Sequence, residues 1–164
     1  TETAAINLTL AERHPHADLV PCVVHYVRAQ FFSAYFYITG MLEPALKRMW
    51  YPARYAGGEE TASLVRRDAE AEVHVCFATL NGQVAELGPH LLGAQINLAD
   101  ITLAYWYASV AHLAGVAALD ALAAHAAHVY ARPKLRPFAR QAAKMVTMRE
   151  SGADMAARAT SGEK

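Results

Sequence analysis

Apolar positions recur along this chain at helical spacing, most clearly from Val65 to Leu87. Val65, Ala69, Val73, Cys76, Leu80, Val84 and Leu87 fall on one side of a helix, while Arg66, Arg67, Asp68, Glu70 and Glu72 lie mostly off that stripe. An acidic start at Glu59 and Glu60 suits the positive end of a helix macrodipole. The pattern predicts a helix over about 59–87 with one apolar face that must pack against another helix.

The same reading predicts the other elements. "TETAAINLTLAERHP" reads as a short helix stopped by Pro15, and "HPHADLVP" as a connector. From Pro21 to about Trp50 the pattern predicts a long aromatic helix, with Pro21 in its first turn. Pro44 lacks a donor and crowds the carbonyl of Gly40, so a kink or break is expected around residues 40–44. "YPARYAGG" closes that segment and "GPHLLGAQI" is a loop. "LDALAAHAAHVYARP" is a helix ended at Arg132–Pro133, "KLRPFARQAAKM" a further short one, and 149–164 a frayed tail. No segment alternates at period two over strand length. The expectation is an all-α domain of six or seven helices.

The segment from Gly93 to Leu113, "GAQINLADITLAYWYASVAHL", carries one acidic residue, Asp100, in an apolar run. Asn97 is placed as a helix N-cap and Asp100 at the third helical position, the spacing of a capping box. Ile96 and Ile101 are spaced as a hydrophobic staple around it. A membrane span is the competing reading. Thr102, Ser109, His112 and Gly115 interrupt the run, the aromatics Tyr105, Trp106 and Tyr107 lie near its middle, and no Lys/Arg cluster flanks it. A central core helix is the better reading, and Asp100 belongs to folding rather than catalysis.

Composition narrows the function classes. Lys plus Arg and Asp plus Glu number 15 each, so charge gives no reason to expect nucleic acid or an anionic membrane as partner. A hydrophobic content of 54% with few Gly and Pro favours helices. The cysteines, Cys22 and Cys76, are far apart and have no adjacent basic group; they read as inert core thiols in a reducing, cytoplasmic setting. The N-terminal residues lack the apolar core of a secretory signal. The chain begins at Thr1 rather than Met, as a processed protein or a fragment would. His125 and His128 lie one turn apart but have no third ligand at a matching spacing, so both are expected to face solvent and no metal site is predicted. Arg132, Lys134, Arg136, Arg140 and Lys144 read as a solvated face opposite Leu135 and Phe138.

On these residues the chain resembles the helical C-terminal domain of cytosolic glutathione transferases. That family carries a "G…(S/T)-x-A-D-(I/L)" element after its long helix pair, and Gly93, Asn97, Ala99, Asp100 and Ile101 match it, with Asn97 in place of Ser/Thr. "LEPAL" (42–46) and "ARPKLRPF" (131–138) match in the family's order. "TETAAINLTLAERHPHADLVP" looks like the last helix of the family's thioredoxin-like domain and its linker, with Thr9 where an aromatic is usual. The resemblance covers roughly residues 1–145. It implies that 1–14 are that last helix, 15–21 the interdomain linker, 22–148 the helical domain and 149–164 the tail.

The resemblance also implies an activity and a site. Family members add the glutathione thiolate to small apolar electrophiles, as homodimers. Glu2 and Thr3 fall where the family binds the γ-glutamyl end of glutathione. Tyr35, Phe36, Tyr37 and Met41 fall where its first long helix lines the electrophile pocket, and such side chains suit an adaptable apolar pocket. The Ser, Tyr or Cys that activates the thiol belongs to a part of the thioredoxin-like domain with no counterpart among these residues. The alternative reading is therefore a non-enzymatic, transferase-like helical module for interaction or ligand binding.

Overall fold

In a computed structural model of the chain, residues 2–139 and 141 are described. Among them the fold is all-α, with seven helices: α1 (Thr3–Arg13), α2 (Arg28–Tyr37), α3 (Glu43–Trp50), α4 (Glu59–Leu87), α5 (Leu98–Val110), α6 (Ala114–Ala117) and α7 (Asp120–Ala131). The expected end of the basic set, Arg140 and Lys144, and the tail at 149–164 lie outside the described residues.

The long aromatic helix starts later than its pattern predicts. Residues 22–27 form turns, with Val23, Val24 and Tyr26 strongly exposed. Adjacent β-branched residues are poor helix starters, and the segment is held from the other side. Arg28 donates from Nη1 to the Pro21 carbonyl at 2.5 Å and from Nη2 to Glu12 at 2.7 Å, anchoring the connector to the first turn of α2. Cys22 stands in these turns and is exposed, which corrects its reading as a core thiol.

The disruption expected around Gly40 and Pro44 takes the form of a π-turn, Ile38–Leu42, between α2 and α3. The Glu43 N–H donates to the Ile38 carbonyl, five residues back, so the helix widens by a residue just before the proline and runs on. Ile38, Leu42, Ala45 and Leu46 stay buried through this passage.

Helix α4 occupies the predicted span, Glu59–Leu87. Ala69, Val73, Cys76, Leu80 and Val84 are buried, joined by Phe77, whereas Leu87 at the end of the stripe is exposed. The stripe packs on α3 and α7. Helix α5 touches α1, α2, the π-turn and α7, which is why it is apolar all round. No helix among the described residues is long and apolar enough to cross a membrane.

Candidate functional site

The start of α5 carries the capping box its spacing predicts. Asn97 Oδ1 accepts from the Ala99 N–H at 2.9 Å, and Asp100 Oδ2 accepts from the Asn97 N–H at 2.8 Å. The other oxygen of Asp100 has further partners. Oδ1 accepts from the Leu91 N–H at 2.8 Å and lies 3.0 Å from His125 Nε2. That oxygen accepts from His125 when Nε2 is the ring nitrogen carrying the proton. His125 is buried, not solvent-facing as its spacing from His128 had indicated; His128 on the next turn is exposed.

The loop between α4 and α5 completes this cluster. His90 and Gly93 exchange backbone hydrogen bonds, His90 N–H to the Gly93 carbonyl at 3.1 Å and Gly93 N–H to the His90 carbonyl at 3.2 Å. Gly93 reaches this tight closure at φ 105°, which a side chain would resist. The closure turns the His90 ring inward, 1% exposed, with Nδ1 4.0 Å from Asp100 Oδ1, beyond hydrogen-bond range. Among the described residues, the buried Nδ1 atoms of His90 and His125 and Nδ2 of Asn97 have no hydrogen-bond partner. Burial holds the His90 imidazole below the usual histidine pKa; Asp100 opposes this, and His125, His128 and Arg132 add to it.

A cavity of about 550 Å³ opens on another side of α5. Thr3, Ala4 and Asn7 of α1 form one wall, and Ile101, Thr102 and Trp106 of α5 another. Tyr35, Thr39, Tyr130, Leu135 and Phe138 also line it. Several of its hydroxyls are already engaged. The buried Tyr35 donates to the Ala4 carbonyl at 3.3 Å, Thr39 to the Tyr35 carbonyl at 3.0 Å, and Thr102 to the Leu98 carbonyl at 2.9 Å. Burial raises the Tyr35 pKa, an effect that Asn7 reduces by hydrogen bonding and Glu43 reinforces by its charge. Burial also pushes Tyr130 up to about 12, with Tyr105 adding to it.

Of the site residues read from the sequence, this cavity gathers Thr3 and Tyr35. Glu2 is exposed at the start of α1, where its charge helps raise the Lys47 pKa behind the larger effect of the Glu43–Lys47 contact at 2.8 Å. Phe36 and Met41 are about half exposed on other faces of the α2–α3 helix, Phe36 stacked on Phe32. Tyr37 turns towards Cys76 and Thr79 of α4. Sequence spacing missed His90 and the cavity residues of α5, because they converge from elements remote in the chain. No family model, curated protein or solved structure matches the chain.

Proposed function

We propose that this chain is the helical part of a glutathione transferase-like protein, folded as that family's C-terminal bundle, and that its cavity receives a small apolar molecule. The observation that carries the reading is the meeting of Thr3 and Tyr35 in one largely apolar cavity against α5, beside the capping box that marks the resemblance. In the intact protein glutathione would lie with its γ-glutamyl end at Glu2 and Thr3, and its thiolate would attack an electrophile held against Tyr35, Ile101 and Trp106. Thiolate, not thiol, is the nucleophile, and the group that lowers the thiol pKa would come from the thioredoxin-like part of such a protein. A cytoplasmic homodimer is the setting the resemblance implies.

A second reading, a non-enzymatic ligand-binding module, draws on the internal engagement of Tyr35, Thr39 and Thr102. Hydroxyls already bonded to backbone contribute shape rather than chemistry.

Calorimetry with glutathione and S-hexylglutathione, alongside conjugation of glutathione to a chromogenic electrophile, separates the two. Binding of both ligands, weakened by Thr3→Val and by Thr102→Phe, supports the transferase reading. Binding of an apolar fluorescent probe that Thr102→Phe abolishes, with no glutathione binding, supports the module.

A further inference from the structure

We propose that His90, Asp100 and His125 form a binding site for a divalent transition metal of the zinc class, independent of the apolar cavity. One ligand atom from each of the three residues lies within 4.8 Å of the others, and all three side chains are buried. Asp100 Oδ1 is 3.0 Å from His125 Nε2 and 4.0 Å from His90 Nδ1. Ligands of a tetrahedral ion at zinc–nitrogen and zinc–oxygen distances stand roughly 3.3 Å apart. Small side-chain adjustments bring these three atoms to that spacing.

A buried imidazole nitrogen without a partner, His90 Nδ1, is the second observation. A buried polar atom that satisfies nothing is costly and rare in folded proteins, and this one lies 4.0 Å from the buried carboxylate. His90 Nδ1 lies 4.0 Å from Asp100 Oδ1, too far for a hydrogen bond, and an ion between them removes the orphan. At His125 the ion binds Nε2, and the ring proton resides on Nδ1, so the imidazole stays neutral.

The donor set selects the metal class. Two imidazoles and one carboxylate suit zinc and its neighbours, whereas calcium and magnesium demand oxygen ligands. The carboxylate is already oriented by backbone donors, Leu91 N–H on Oδ1 and Asn97 N–H on Oδ2, the kind of outer support that fixes a metal ligand. His128 is exposed on α7 with its ring centre 5.1 Å from that of His90, so solvent lies one ring away from the cluster. The bound ion would tie the 88–97 loop to α5 and α7.

The test uses chelator-treated full-length chain titrated with cobalt(II), then zinc. The expected result is one ion per chain retained through gel filtration, cobalt bands of a tetrahedral site displaced by zinc, and a higher melting midpoint with zinc. His90→Ala, which leaves the capping box and the His125–Asp100 bond untouched, must lose that ion while His14→Ala keeps it. Nitrogen-15 spectra of the unmutated chain provide a readout that needs no variant: zinc must shift the ring nitrogens of His90 and His125. No retained ion, equal retention by folded His90→Ala, or shifts confined to exposed histidines would overturn the site.

Discussion

His125 Nε2 on α7 lies 3.0 Å from Asp100 Oδ1 on α5, and neither side chain is exposed to solvent. One carboxylate thereby starts α5, holds the preceding loop through Leu91 and joins α5 to α7. Replacing it leaves the Leu91 and Asn97 N–H groups and the His125 ring without their acceptor.

That arrangement ranks two substitutions at the same helix start. Asn97→Ala removes one cap bond and is expected to cost about 1 kcal/mol. Asp100→Ala strands several buried donors and is expected to cost about 3 kcal/mol. Urea denaturation of both variants checks the order; equal midpoints would reduce Asp100 to a simple cap.

Gly93 closes the loop that turns His90 inward, at φ 105°. Gly93→Ala has open space around its new Cβ, so its cost is backbone strain alone, roughly 1–2 kcal/mol. The expected loss of stability should come with faster amide exchange at His90 and Gly93, measured by NMR. Exchange unchanged there would mean that the loop does not depend on that conformation.

Gly115 in α6 is needed for contact rather than for conformation. A Cβ at that position would run into the His74 ring of α4. The His74 ring must move to admit it, so Gly115→Ala and His74→Ala are expected to couple by about 0.5 kcal/mol or more, the double variant losing less stability than the two single ones together. A double-mutant cycle in thermal denaturation measures the coupling, and strictly additive effects would remove the contact as the cause.

Tyr130 makes stability fall at high pH. Its phenol is pushed up to about 12 by burial, against 10.0 for an ordinary tyrosine. Below pH 10 it is neutral whether folded or unfolded; between about 10 and 12 the folded chain keeps a proton the unfolded chain has released. Stability therefore declines as pH rises through that window. Tyr130→Phe should flatten the decline, and tyrosinate absorbance should lose its last-ionising component. A decline of the same slope in Tyr130→Phe would assign it to other groups.

The sequence by itself determined where most of the helices form, through positions that depend only on near neighbours. The α4 stripe spells out its own span, and Asn97 and Asp100 mark the start of α5 because a capping box closes within one turn. Pro44 announces a local disturbance, although the choice of a π-turn over a break came from packing, which keeps Ile38 and Leu42 in the core. Only the tertiary structure decided what those helices share. Helix α7 has Leu119 at its N-cap, whose side chain cannot accept, and Asn81 of α4 supplies the missing oxygen to the Leu122 N–H at 3.1 Å. His90, Asp100 and His125 come from a loop and two helices, so no spacing encodes their meeting. Helical periodicity reports which face of an element is apolar; it carries no record of which element lies opposite. The cavity against α5 and the buried histidine–aspartate cluster are products of that second choice, made when the helices pack.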